Sequence, residues 1–175
     1  MKLLSLRKIL SLAAATAFVV LTPVRADDSS LSGKDKSFIQ EAYQDGLAEV
    51  DMAQMAQRKT GNADVKAFAE KIATDHAAAN TTLKSLADSK KVSTASGPSM
   101  VAQGKGKLLD GKTGADFDKA YIDAMISDHK KDIEAFEKEA NEAKDQDVKN
   151  FANQTLPKLK EHLSAAQGIQ AKIGK

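Results

Sequence analysis

The three histidines of this chain each stand where the neighbouring pattern predicts an apolar residue. His76, His129 and His162 lie in three different segments whose apolar residues recur every three or four positions, as on one face of an amphipathic helix. A fourth segment of the same kind carries Glu49 beside Val50 on its apolar face. Helical bundles build metal sites from side chains that converge from facing helices. The sequence therefore predicts a metal site formed by these four polar residues.

The four polar side chains are also predicted to lie at one height in a bundle. Glu49 and His76 are separated from the turn at Gly61 by 12 and 15 residues. At 1.5 Å per residue these spacings are roughly 18 and 22 Å. If a long crossover brings the third helix's start and the fourth helix's end to that turn, His129 and His162 lie about 21 and 15 Å from it. The four side chains then share a level to within about one helical turn.

The predicted ligands offer nitrogen and oxygen but no sulfur, because the chain contains no cysteine. Such a set suits zinc, copper, iron or manganese, with one or two coordination positions left for water. The Glu-x-x-His pair of di-iron bundles is missing, since Ala73, Ile126 and Leu159 stand three residues before the histidines. Three nearby aspartates are candidates to accept hydrogen bonds from the rings or to join as extra ligands: Asp75, Asp128 and Asp132.

Two other interpretations of the same pattern stay open. Buried histidines are often neutral and hydrogen-bonded to a carboxylate or a carbonyl, so Glu49 and the three imidazoles would then form a structural polar network without metal. A different rotation of one helix would instead move its polar residue out of the core.

Four long helices must position these residues. The first is predicted from Ser37, with Ser37 and Gln40 as a capping box, to a stop at residues 60–62 where Gly61 fits the C′ position. The others are predicted at about 63–89, 115–143 and 146–172. Short turns join the first helix to the second and the third to the fourth. The link at residues 90–113 is glycine-rich and shows no sustained period, so it is predicted to be a long crossover.

The two helical hairpins share an internal repeat. Residues 64–69 read DVKAFA and residues 147–152 read DVKNFA, each at the start of a predicted helix. Two similar αα-hairpins joined by one long crossover predict an all-α, ferritin-like four-helix bundle. The bundle domain is placed at residues 37–175, after a disordered leader at residues 27–36.

Residues 1–26 have the layout of a secretory signal peptide. A basic start at residues 2–8 precedes an apolar run from Ile9 to Leu21, and residues 24–26 fit a cleavage site. The run is shorter than the roughly 20 residues that cross a bilayer. We expect cleavage after Ala26 and a periplasmic or secreted protein that does not span the membrane.

The charge and the motifs exclude several function classes. The chain has 26 basic and 24 acidic residues, and loss of residues 1–26 leaves a formal net charge of −2 with the signs interleaved. Such a surface lacks the basic patch of a nucleic-acid-binding protein. No phosphate loop, dinucleotide fingerprint or nucleophile elbow is present, so no catalytic residue is assigned. The predicted partner is a metal ion, and a protein partner or a homodimer stays open.

Several short motifs recur along the predicted helices. They are Gly46-Leu47-Ala48-Glu49-Val50, Val65-Lys66-Ala67-Phe68-Ala69, Asp75-His76, Phe117-Asp118-x-x-Tyr121, His129, Phe136 and Leu156-Pro157-x-Leu159-x-x-His162. As a set they resemble a bacterial family of unknown function whose members are secreted and ferritin-like and are often labelled predicted outer membrane proteins. The resemblance covers about residues 37–170 and implies a helical periplasmic domain, with Glu49, His76, His129 and His162 as the family's polar positions. It implies no established activity.

Three functions compete at this point. The first hypothesis is a periplasmic bundle that binds one transition metal ion for metal homeostasis or envelope stress protection. The second is a metal-free envelope stress or protein-interaction module. The third is a metal-dependent redox or hydrolytic enzyme that uses an open coordination position.

Overall fold

The computed structural model describes residues 31–174, and the predicted signal peptide lies outside these residues. Within them the chain forms five helices and no strand, which confirms the prediction of an all-α bundle. No helix in this part of the chain is long and apolar enough to cross a membrane. The helices are α1 (Gly33–Lys59), α2 (Ala63–Ser89), α3 (Met100–Asp110), α4 (Gly114–Glu142) and α5 (Gln146–Ile173).

The four long helices pair as two hairpins, α1 with α2 and α4 with α5. The hairpins meet because α1 also packs on α4 and α2 on α5. Lys172 at the end of α5 pairs with Asp64 at the start of α2, with Nζ and Oδ2 2.8 Å apart. Lys59 at the end of α1 pairs with Asp110 just before α4. The start of α4 and the end of α5 therefore share the end of the bundle that holds the α1–α2 turn, as the predicted crossover requires.

Helix α1 begins four residues earlier than the sequence pattern predicts. It starts at Gly33, so the disordered leader predicted at residues 27–36 is wrong for its last residues. Ser32, and not Ser37, is the N-cap, and its hydroxyl accepts a hydrogen bond from the backbone N–H of Asp35 at 3.1 Å. A cap of this kind satisfies one of the four free N–H groups at a helix start.

A tertiary contact explains the early start. The buried carboxylate of Asp35 accepts hydrogen bonds from the backbone N–H groups of Lys144 and Asp145, at 3.3 and 3.0 Å. These bonds hold the first turn of α1 against the α4–α5 turn. The apolar pattern begins only at Phe38, so it gives no signal of these hydrogen bonds of Asp35.

The α1–α2 turn also differs from the prediction. Thr60 leaves α1 in an extended conformation, and Gly61 does not take the left-handed conformation expected at C′. The side chain of Asn62 then caps α2 by accepting hydrogen bonds from the backbone N–H groups of Asp64 and Val65, at 2.9 and 3.2 Å. The turn is therefore fixed by the N-cap of α2 and not by a glycine C-cap of α1.

The crossover contains a helix that the sequence pattern does not predict. Ser99 caps α3 by accepting a hydrogen bond from the backbone N–H of Ala102 at 3.2 Å. Leu109 is the only buried residue of α3, and a single buried position leaves no apolar stripe to detect. The large apolar side chains elsewhere on this helix are exposed: Met100, Val101 and Leu108.

The core consists of two apolar clusters separated by a polar layer. The cluster nearer the α1–α2 turn includes Ile72 and Phe117, and the cluster nearer the α4–α5 turn includes Phe38 and Leu83. Between the residues that belong to the two clusters, every long helix carries at least one buried histidine or glutamate. They are Glu49 on α1, His76 on α2, His129 on α4 and His162 on α5.

Candidate metal centre

The structure brings the three histidines together in the middle of the bundle. The centroids of the His76, His129 and His162 rings are 5.3 to 5.4 Å apart. One ring nitrogen from each residue lies within 4.8 Å of the other two. Since α2, α4 and α5 supply one ring each, the cluster can form only when the two hairpins are packed against each other.

The outer nitrogens of two rings are held by acceptors. His129 donates from Nδ1 to the backbone carbonyl of Met125, at 3.0 Å. His162 donates from Nε2 to Oδ2 of Asp75, at 2.8 Å. Partial burial raises the pKa of Asp75, but hydrogen bonds from His162 and Lys71 outweigh this effect and lower it to about 2. A carbonyl and an ionised carboxylate can only accept, so each of these outer nitrogens carries a proton.

The outer nitrogen of the third ring faces Glu49. Nδ1 of His76 lies 2.8 Å from Oε2 of Glu49, a distance at which the two atoms share one proton. Burial raises the pKa of Glu49 to about 7, against the opposing attraction of His129. Above this pKa the ionised Glu49 carboxylate can only accept, so Nδ1 of His76 then carries the proton, as the outer nitrogens of the other two rings do.

With the outer nitrogens protonated, the inner nitrogens of the neutral rings carry bare lone pairs. Nε2 of His129 and Nδ1 of His162 are 3.2 Å apart. Nε2 of His76 is buried and has no hydrogen-bond partner among the described residues. Two facing lone pairs at this distance repel each other unless a cation lies between them. The centre of the layer is therefore suited to a cation.

Burial keeps all three rings neutral at neutral pH. Desolvation lowers the pKa of His76 to about 4. It also lowers the pKa of His129 to about 4, although the nearby Glu49 carboxyl opposes the shift. The pKa of His162 is lowered by burial as well, against the hydrogen bond to Asp75. Neutral imidazole is the form that binds metal ions.

The other residues predicted for the site occupy different surroundings. Asp128 forms an ion pair with Lys105 of α3, with Oδ1 and Nζ 2.6 Å apart. Asp132 is also buried. In the described part of the chain it makes no hydrogen bond to any of the three histidine rings. Glu49 Oε1 lies 3.2 Å from Nδ1 of His129, but that N–H points at the Met125 carbonyl, so Oε1 has no hydrogen bond.

Sequence reasoning missed two parts of the site. The Met125 carbonyl that orients His129 is a backbone atom and leaves no trace in residue types. Lys71 pairs with Asp75 at 2.9 Å, and the i, i+4 spacing of these two residues on one helix is a signal that could have revealed the contact. A cavity of about 250 Å³ adjoins the cluster and is lined in part by His76 and His162.

The fold and the site define an all-α bundle of two hairpins with three histidines buried at its centre. The chain belongs to the family described as "Domain of unknown function (DUF4142)", whose model matches residues 21–169. No curated protein matches the chain.

Two solved structures share the fold. A DUF305 fragment from Deinococcus radiodurans superimposes with a TM-score of 0.73 at 13% identity, covering 81% of this chain and 98% of that chain. A DUF305 protein from Streptomyces coelicolor, described provisionally as secreted, gives 0.70 at 17% identity, covering 81% and 92%. Identities this low show the fold alone. Neither description mentions a ferritin or an outer membrane protein, so those two labels stay predictions.

Proposed function

We propose that this protein binds one transition metal ion through Nε2 of His76, Nε2 of His129 and Nδ1 of His162. The observation that carries the proposal is the convergence of three inner nitrogens while every outer nitrogen faces an acceptor. Metal-binding histidines almost always donate their other N–H to a carboxylate or carbonyl, which fixes the tautomer and the ring orientation.

The spacing of the nitrogens supports the same conclusion. Zinc–nitrogen bonds of about 2.0 to 2.1 Å in a tetrahedral site place two ligand nitrogens about 3.3 Å apart. The inner nitrogens of His129 and His162 are already separated by 3.2 Å. Only the ring of His76 has to adjust, and its inner nitrogen has no competing hydrogen bond among the described residues.

Glu49 and Asp75 then act from behind the rings and not as ligands. Each faces the outer nitrogen of one histidine, at 2.8 Å in both cases. A carboxylate in this position increases the electron density on the inner nitrogen and strengthens its bond to a metal. The adjoining cavity leaves room for water at the remaining coordination position.

The proposed role is metal homeostasis or stress protection in the bacterial envelope. The predicted signal peptide at residues 1–26 and the provisional description of the Streptomyces coelicolor neighbour as secreted support this location. A three-histidine site without cysteine suits zinc, copper or iron in an oxidising compartment. Catalysis is not part of the proposal.

Element analysis tests the proposal directly. The protein is purified from the periplasm without a histidine tag, and its metal content is measured beside that of two variants. We expect about one zinc, copper or iron per chain in the wild type. His162→Gln should lose the metal, because it removes one of three ligands.

The matched control is Leu159→Ala, which truncates a buried side chain one turn away on the same helix. It destabilises the fold by roughly 2 to 5 kcal/mol but leaves every ligand in place, so it should keep the metal. Wild-type protein that holds far less than one equivalent, with no thermal shift on adding zinc, copper or iron, would show that the cluster is a metal-free polar network.

A further inference from the structure

Helices α1 and α4 face each other with two carboxylates each. Asp45 and Glu49 are four residues apart on α1, and Asp128 and Asp132 are four residues apart on α4. Side chains at this spacing lie one above the other on the same helix face, where two like charges destabilise the helix. Four acids on facing helix edges therefore cost stability unless cations compensate them.

Lysines compensate only the outer two of these acids. Lys131 pairs with Asp45 at 2.9 Å, and Lys105 pairs with Asp128 at 2.6 Å. The inner two, Glu49 and Asp132, have 2% and 8% of their surface exposed. Among the described residues no lysine or arginine pairs with either of them, and Glu49 Oε1 has no hydrogen bond.

Glu49 and Asp132 are among the residues that line a cavity between α1, α3 and α4. Its volume is about 320 Å³, and its walls include Glu49, Asp128 and Asp132. Lys105 of α3 and Lys131 of α4 also line it. Since a water molecule occupies about 30 Å³ in the liquid, the cavity has room for an ion with several waters. We name this space the carboxylate cavity.

We propose that the carboxylate cavity is a second cation site, separate from the histidine cluster, which binds a divalent ion of the manganese class through Glu49 Oε1 and Asp132. Asp128 becomes a third ligand when Lys105 withdraws. The cavity offers carboxylate oxygen and no inner imidazole nitrogen, and such donors suit manganese, magnesium or calcium better than zinc or copper. A divalent ion would displace the proton that burial holds on Asp132 and would offset the carboxylate charge of this otherwise lysine-free inner pair. The proposal does not depend on metal binding by the histidines.

The test counts manganese ions bound to zinc-treated protein. Free aqueous manganese(II) gives a sharp electron paramagnetic resonance signal, so its loss on adding protein measures binding. We expect about one manganese per chain. Asp132→Asn keeps the size of the side chain, removes a charged ligand and should weaken manganese binding at least about tenfold without changing zinc content.

The matched control is Asp118→Asn, another buried acid on α4 that lies outside the walls of the carboxylate cavity. It should bind manganese as the wild type does. Lys105→Gln removes the cation that competes for Asp128 and should tighten manganese binding by about fivefold. Wild-type protein that binds no manganese, or an Asp132→Asn variant that binds it with unchanged affinity, would overturn the second site.

The two sites can fail independently. His162→Gln should lose zinc and still bind manganese if the carboxylate cavity is a separate site. If the wild type takes up manganese but no zinc, copper or iron, the proposed function fails while the second site stands. If manganese binding is lost in His162→Gln but retained in Asp132→Asn, manganese binds at the histidines, and the second site is wrong.

Discussion

Two polar regions meet at Glu49, and burial shifts the pKa values of their side chains in opposite directions. In the histidine cluster, burial lowers the pKa of the bases, to about 4 for His76 and His129. In the carboxylate cavity, burial raises the pKa of the acids, to about 7 for Glu49 and about 9 for Asp132. Both regions are driven toward the uncharged form, but only the histidine rings have acceptors that fix their orientation.

The difference shows that burial alone does not orient side chains for binding a metal ion. The histidines point their free nitrogens at a common centre because their outer nitrogens are held. The carboxylates line a roomy cavity, and of the inner pair only Oε2 of Glu49 faces a ring nitrogen, while Oε1 of Glu49 has no hydrogen bond in the described part of the chain. We therefore expect tighter binding and stricter geometry at the histidines, and weaker binding of a more loosely coordinated ion in the carboxylate cavity.

The largest expected effect is a loss of stability in acid from the histidine cluster. The histidines have lower pKa values in the folded protein than the value of about 6.5 in the unfolded chain. As the pH falls, the unfolded chain therefore binds more protons than the folded protein does. The stabilising contribution is complete above pH 6.5 and is lost toward pH 4. For His76 and His129 together this contribution should fall by about 4 kcal/mol between pH 7 and pH 5 in the metal-free protein. The buried acids Glu49 and Asp132 act in the opposite direction over the same interval, because their pKa values are raised.

Urea unfolding with a chelator present measures this loss. The control is a variant with His76, His129 and His162 all changed to Gln, which removes the titrating groups and keeps polar side chains in the layer. The variant keeps the buried acids but lacks the histidine contribution, so relative to the wild type it should become more stable by about 4 kcal/mol as the pH falls from 7 to 5. Equal slopes for the two proteins would mean that the rings are not buried in neutral form.

The second prediction concerns Asp132 and has the opposite sign. Its pKa is raised in the folded protein, mainly by burial and also by the Glu49 carboxyl. The folded protein therefore holds a proton that the unfolded chain releases, and stability is lost as the pH rises from about 4 toward 9. Asp132→Asn removes this penalty and should make the metal-free protein more stable by about 2 kcal/mol at pH 8.

The same variant at pH 4 is the control, because Asp132 is then protonated in the folded wild type and about half protonated in the unfolded chain. The gain should shrink to within about 0.5 kcal/mol. A gain of the same size at both pH values would assign the effect to packing and not to a buried acid.

The long helices could be predicted from the sequence because apolar periodicity and caps are local. Asn62 caps α2 at the predicted boundary, and the spacing arithmetic placed three rings at one level. The early start of α1 could not be predicted, since Asp35 acts through a contact with Lys144 and Asp145. Helix α3 could not be predicted from apolar periodicity, because Leu109 is its only buried residue.

The contacts of the acidic residues also could not be predicted from the sequence. The residue pattern placed Glu49 in the core, but only coordinates show that it faces the outer nitrogen of His76. Asp75 follows the sequence expectation of an acceptor, yet its partner is His162 of another helix and not the adjacent His76. Which ring nitrogen meets which oxygen depends on the rotation and packing of helices, and periodicity does not encode these to the required precision.

The third prediction separates the two regions through Asp75. Asp75→Asn replaces the charged acceptor of His162 by a neutral one and should weaken zinc binding by about 10- to 100-fold. Manganese binding should not change, because Asp75 is not part of the carboxylate cavity. Competition against a fluorescent zinc chelator measures the affinity. Asp88→Asn, an exposed aspartate on the same helix, is the control and should leave both affinities unchanged.

The last expected effect concerns Gly46, which lies against Asn80 where α1 and α2 approach closely. A Cβ atom at position 46 would lie 2.3 Å from Oδ1 of Asn80, so the amide or the helix must move. Gly46→Ala should therefore cost about 2 kcal/mol, as overpacking does in other cores. Because Gly46 and Glu49 share a helix face, the shift should also weaken the contact between Glu49 and His76.

Gly168→Ala on α5 is the control, since nothing lies within 4 Å of its added Cβ, and it should stabilise the protein by about 0.5 to 1 kcal/mol. The double variant Gly46→Ala with Asn80→Ala removes the clashing amide and should regain part of the loss. Thermal unfolding of all four proteins, with and without zinc, gives the comparison. If Gly46→Ala is as stable as the wild type and the double variant is less stable, the close approach of α1 and α2 does not position Glu49.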